Sequence, residues 1–179
     1  QTETPMANCT CTVNTIDQFC GGVNAPGLDR MLSITCEDEL LAIPAPVTDT
    51  HKITDDITYR ASAVGPPAVA AGKFYKWFFS KDNASWTSER DDNNLWNTEV
   101  KIFIPSLQDT TTYTLNGMTG ENQIALVPDR NGKTRVVGAL GNGAMIKVKE
   151  TTDPKNGYEV TITWQSAYAP YYYEGTVTY

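Results

Sequence analysis

The chain has 179 residues, 40% of them hydrophobic and 10% aromatic, with a formal net charge of −7. That is the size and composition of one globular domain, able to bury a core without metal or disulfide staples. The charge is lopsided, with nine acids against two bases in residues 1–56 and twelve of each in residues 57–179; such a balance argues against tightly held nucleic acid, whose affinity comes largely from Lys and Arg on phosphates.

No apolar run approaches the ~18 residues of a membrane helix, so a soluble chain with no membrane partner is expected. Residues 1–30 are rich in turn formers, as in "CGGVNAPG" at 20–27, and are expected to form an arm or extended loop ahead of a β domain over 31–179. The four cysteines, Cys9, Cys11, Cys20 and Cys36, are spaced C-x-C-x8-C-x15-C. Zinc sites usually show paired C-x2–4-C knuckles, which this spacing lacks; disulfides and free thiols both stay open.

"MLSITC" (31–36) reads as the first strand, and the prolines of "IPAPV" (43–47) keep that stretch extended. "HKITDDITYR" (51–60) alternates Ile53, Ile57 and Tyr59, with Asp55 the exception on that face, against Lys52, Thr54, Asp56 and Thr58, the pattern of a half-buried strand. "KFYKWFFS" (73–80) is apolar on both faces, as for a strand covered from two sides, and cover of that kind in a small domain points to a partner subunit. The polar stretch 80–94 holds Asp82, Asn83, Asp91 and Asp92 without the spacing of a calcium loop, so a solvated hairpin with a short strand at Trp86 is expected.

"LWNTEVKIFIP" (95–105) is a strand with Val100, Ile102 and Ile104 inward, ended by Pro105. Residues 106–118 change period: Ser106 suits an N-cap, Leu107, Leu115 and Met118 form one stripe, and Gly120 is a stop, so one short helix is expected. "QIALVPD" and "TRVVGAL" flank "RNGK", where Asn-Gly predicts a tight type I′ hairpin. "AMIKVKE" (144–150) and "GYEVTITW" (157–164) alternate as strands, and "YYYEGTVTY" (171–179) closes the chain as another. About eight strands and one short flanking helix predict a mainly β, single-domain barrel or sandwich.

No constellation for catalysis is visible. The only histidine is His51, which leaves no imidazole for a serine triad elsewhere. Asp55 and Asp56 point to opposite faces of a strand, and "GALGNG" (138–143) has the wrong spacing for a phosphate loop and reads as a turn. Tyr168, Tyr171, Tyr172 and Tyr173 are expected to serve packing more than ligand stacking. The chain is therefore not expected to be an enzyme, nor to use a metal or cofactor.

Taken in order, "KFYKWFFS", "VKIFIPSL", "VPDRNGKTRVVG" and "NGYEVTITWQSAYAPYYYEG" resemble a tail tube (major tail) protein of tailed phages, of the type carried by phages and prophages of gut Bacteroidetes. The resemblance covers residues 73–175 and, more weakly, "FCGGVNAPGLDR" and "IPAP"; the cysteine-rich start has no counterpart. It implies a β-barrel subunit with a flanking helix, forming hexameric rings that stack into a tube for DNA ejection. The implied partners are further copies of itself, other tail proteins and DNA in transit, in the virion tail, with assembly in the bacterial host cytoplasm. The other readings open at this point are a different self-assembling phage or injection component, such as a neck, baseplate or terminator protein, and a surface-binding or adhesion sandwich.

Charge suggests where copies meet. Residues 129–149, with Arg130, Lys133, Arg135, Lys147 and Lys149 against Asp129, carry +4, while the first third is acidic. Head-to-tail stacking would set that basic region against Glu37, Asp38 and Glu39 of a neighbour, with Phe74 and Trp77 as apolar interface candidates.

Overall fold

The computed structural model describes residues 27–118 and 120–179. Residues 1–26 of the expected arm, with Cys9, Cys11 and Cys20, lie outside them. Among the described residues the fold is mainly β, 47% strand and 9% helical, with one α-helix. No helix among the described residues is long and apolar enough to cross a membrane.

The described residues form twelve strands, where about eight were expected: β1 (Met31–Cys36), β2 (Leu40–Ala42), β3 (Lys52–Ile53), β4 (Thr58–Tyr59), β5 (Tyr75–Phe78), β6 (Ser85–Arg90), β7 (Trp96–Pro105), β8 (Glu121–Pro128), β9 (Thr134–Val137), β10 (Ala144–Thr151), β11 (Gly157–Ser166) and β12 (Tyr172–Tyr173). The helix α1 spans Asp109–Gly117, between β7 and β8. Ten strands belong to one sheet that forks at β8. Ala125 pairs with Ile34 of β1 on one edge and with Val137 of β9 on the other. Gln123 pairs with Cys36 of β1 and, across its other edge, with Ala144 of β10, where a register shift follows at once. Such an irregularity is how a strand turns the corner between two packed layers.

The first layer runs β5–β1–β8–β9–β12–β3 and the second β6–β7–β11–β10. Between them sits one cluster built from Leu32, Ile34, Ala125, Val127 and Val137 of the first layer and Val100, Ile102, Tyr158, Val160, Ile162 and Trp164 of the second. A second cluster, with Ile124, Leu126, Val136, Ile53, Ile57, Phe74 and Tyr173, lies on the outer side of the first layer. That is why "IALV" in β8 is apolar at four successive positions: all four are buried, alternately in one cluster and the other. Leu28, at the expected end of the arm, is already 2% exposed in the central cluster.

The sheet does not close into a barrel, and the arrangement is sandwich-like. One backbone hydrogen bond, Ser80 N–H to Phe103 C=O at 2.8 Å, ties the end of β5 to β7 without a ladder.

Local chemistry explains where the elements depart from expectation. The expected strand 51–60 is split into β3 and β4, because the Ile57 amide donates to the Tyr173 hydroxyl (3.2 Å) and the Asp56 carboxylate accepts from Thr176 N–H (2.6 Å). The expected closing strand keeps ladder pairing only at Tyr172–Tyr173. Beyond it, Glu174 N–H donates to Ile53 C=O, Thr176 to Asp56 and Thr178 to the Tyr59 hydroxyl, so most of the tail is extended chain bound to side chains. Ser106 is not the helix cap: its φ of 71° is left-handed and Gln108 occupies the cap position. The stripe itself holds, with Leu115 buried and Leu107 and Met118 packed against the central cluster.

Candidate functional site

The residues that would have carried chemistry are spent on structure. The ring of His51 lies 2.8 Å from Ala169 C=O through Nε2 and 4.4 Å from the Tyr171 ring, which pins the loop after β11 to the start of β3. Asp91 accepts from the amides of Leu95 and Asn93, both at 2.9 Å, and from Asn97 Nδ2 at 3.2 Å; these bonds, that from Leu95 foremost, hold its carboxyl below the usual range. It organises the β6–β7 turn, and among the described residues no group of three metal-ligating side chains exists. "GALGNG" is a turn closed by reciprocal Ala139–Asn142 hydrogen bonds of 3.0 Å. Tyr168 stacks on Tyr171 at 4.7 Å and meets Trp164 edge-on at 5.8 Å, and Tyr173 is core.

The basic hairpin differs from expectation in its turn. A type I′ turn requires positive φ at both central residues; here Gly132 has φ 76° while Asn131 is not among the residues with positive φ. Gly132 N–H donates to Asp129 C=O (3.2 Å), Asp129 N–H to Lys133 C=O (2.8 Å), and the Asp129 carboxylate accepts from Asn131 and Lys133 amides at 2.9 Å each. This is the three-residue loop with a left-handed glycine, and the Asp129 side chain selects it.

Several of the expected docking charges are engaged within the chain. Arg130 donates to the carbonyls of Leu28 (3.1 Å) and Lys81 (3.2 Å). Arg135 lies between Trp86 and Tyr172, 5.0 and 5.1 Å from the ring centroids, so its cation bridges the two layers. Lys149 pairs with Glu159 at 3.2 Å. On the acidic side Glu39 pairs with Arg60 at 3.1 Å and Glu37 accepts from Gly141 N–H. Lys133, Lys147, Lys149 and Asp38 are exposed.

The apolar candidates also shift. Phe74 is 1% exposed in the outer cluster, where Val177 of the tail also packs, and Trp77 is half-buried against the central one. The exposed apolar positions of this stretch are Tyr75, 48% exposed, and Phe78, 65% exposed. Beside them a groove of 610 Å³ opens between β5 and α1. Cys36, a free thiol, lines it, and burial, then Asp38 and Glu39, push its pKa up.

One feature was not singled out from sequence. The outward-facing side of the second layer is polar across four strands. Thr87, Glu89, Asn97, Glu99, Lys101, Glu159, Thr161, Thr163, Gln165, Lys147 and Lys149 share it by register, together with the apolar Phe103 and Met145. Its three glutamates (Glu89, Glu99, Glu159) and three lysines (Lys101, Lys147, Lys149) cancel, and two pairs do so in contact, Lys101–Glu99 at 2.7 Å and Lys149–Glu159 at 3.2 Å. A shallow depression of 540 Å³ runs over it past Thr87, Asn97 and Gln165. The alternation in 95–104 and 157–164 was the available signal; adding the outward residues across strands needed the register.

Comparison with protein-family models, with curated proteins and with solved structures found no match.

Proposed function

We propose that the chain is a tail tube subunit of a tailed phage, a structural virion protein whose copies form rings that stack into a conduit for DNA. The observation that carries the reading is the outer face of the second layer. A wall past which a polyanion slides must be wetted and must not offer fixed cations, since each phosphate contact is a brake. A sheet face four strands wide, rich in hydroxyl and amide groups and locally neutralised, meets that requirement. The order of motifs in residues 73–175 supports the same reading.

Ring formation needs an interface between unlike surfaces of identical copies. Exposed Tyr75 and Phe78 on a sheet edge suit such a contact. Lys133 facing Asp38 of the next copy would add register and docking rate more than affinity.

Negative-stain electron microscopy of the concentrated full chain tests the reading. Hollow stacked rings are expected, with no retention of duplex DNA at physiological salt. Dispersed monomers at every concentration overturn it, and single rings that never stack favour a terminator or neck component instead.

A further inference from the structure

The chain contains the steps Asn116-Gly117, Asn131-Gly132, Asn142-Gly143 and Asn156-Gly157. At an Asn-Gly step the glycine nitrogen can attack the asparagine side chain, because the glycine has no side chain to block the approach. To reach Cγ, the peptide joining the two residues must rotate out of its place, so the rate depends on what holds that peptide and its glycine. The fold treats the four steps differently.

Two are locked. Asn142 C=O accepts from the Trp164 indole at 2.8 Å, and its N–H and side-chain amide donate to the carbonyls of Ala139 and Gln165, both at 3.0 Å; Gly143 is buried. Asn156 C=O accepts from Ser106 N–H at 3.0 Å and its side chain from Leu107 N–H at 3.3 Å. Gly157 is also buried, and a Cβ there would lie 2.3 Å from Ile104 C=O. Asn116-Gly117 is the last pair of α1, where rotation unwinds a helical turn anchored by buried Leu115.

Asn131-Gly132 is placed otherwise. Both residues are exposed in the loop between β8 and β9. Gly132 has a φ of 76°, and nothing lies within 4 Å of where its Cβ would stand. Its N–H is held by a 3.2 Å bond to Asp129 C=O, at a hairpin tip, where opening is cheapest. The exposed ammonium of the next residue, Lys133, favours the anionic nitrogen that attacks.

We propose that Asn131 is a site of self-modification, at which the chain converts its own asparagine to aspartate and isoaspartate. The Gly132 nitrogen gives up its proton to solvent and bonds to Asn131 Cγ; the Cγ–Nδ2 bond breaks, and ammonia leaves carrying a proton returned by solvent. Water then opens the five-membered imide at either carbonyl, so one water is consumed for each ammonia released. The product adds one negative charge, and residues 129–133, with Arg130 and Lys133 against Asp129, go from +1 to 0. Isoaspartate also lengthens the main chain in a loop that Asp129 clamps through the Asn131 and Lys133 amides. The site does not rest on the tube reading; a weaker dock for Lys133 follows only where that reading holds.

Ageing of the full chain at neutral pH and body temperature, with site-resolved mass spectrometry and isoaspartyl methyltransferase labelling, tests it. Asn131 is expected to convert at least tenfold faster than Asn142 and Asn156, and faster than Asn116. In guanidinium chloride the four rates should converge, since the fold that separates them is gone. Conversion at Asn116, Asn142 or Asn156 that equals or exceeds that at Asn131 in the folded chain overturns the proposal. So does a lead for Asn131 that persists undiminished in the unfolded chain, which would assign it to local sequence.

Discussion

The two layers of the sandwich use the same strand grammar for opposite ends. In the first layer β8 is apolar at every position from Ile124 to Val127, because segments 40–60 and 171–179 cover its outer side as the second layer covers its inner side. In the second layer β7 and β11 alternate, and the outward half of each is left polar except at Phe103. Two-sided burial supplies stability; one-sided burial leaves a surface free for a task. If the division is real, equal truncations in the two layers must differ greatly in cost.

The largest effect is expected at Leu126→Ala, which opens a cavity in the outer cluster and should cost about 2–5 kcal/mol in urea unfolding. Tyr173→Phe comes next. Its hydroxyl accepts from Ile57 N–H and donates to Thr176 C=O, and leaving the amide of Ile57, itself buried, unsatisfied should cost about 1–3 kcal/mol. The same residue sets an alkaline limit. Burial foremost raises the Tyr173 pKa in the folded chain, so its contribution is complete below the ordinary tyrosine value of about 10 and is lost as pH rises through the folded value. A urea series from neutral to alkaline pH should show that decline, and Tyr173→Phe should flatten it.

Arg135→Ala, removing the cation between Trp86 and Tyr172, should cost about 1 kcal/mol, whereas Lys133→Ala two residues away should not be measurable in stability. Lys133→Glu should instead slow assembly, and Asp38→Lys should partly restore it; assembly rates indifferent to both and to salt would remove charge docking from the account. The smallest effect is expected at Thr163→Ala on the polar face, within about 0.5 kcal/mol. A loss comparable to that at Leu126 would break the comparison between the layers.

The sequence made the strands of the second layer legible because alternation is a local signal: β7 ends at Pro105, and Val160, Ile162 and Trp164 face inward as their spacing requires. "MLSITC" coincides with β1. Failures arose where distant groups compete for the backbone. Tyr173 and Thr176, more than a hundred residues downstream, break the strand expected over 51–60. The Asp129 carboxylate overrides the turn preference of Asn-Gly. Charges looked available in the sequence because composition does not reveal partners: Arg135 is taken by two aromatic rings and Glu39 by Arg60. The neutral face was legible only in part: Lys101 and Glu99 are two apart on β7 and pair by alternation alone, whereas Lys149–Glu159 joins β10 to β11 and needs the register.

The central claim is that the outer face of the second layer becomes an enclosed wall when copies assemble. A cysteine introduced as Thr163→Cys, with the native cysteines replaced by serine, reports on it through a bulky polyethylene-glycol maleimide. In the dilute chain that thiol should label readily, and in assembled protein its labelling should fall at least tenfold while a cysteine at exposed Asn93 continues to react. Equal labelling at position 163 before and after assembly would contradict the claim.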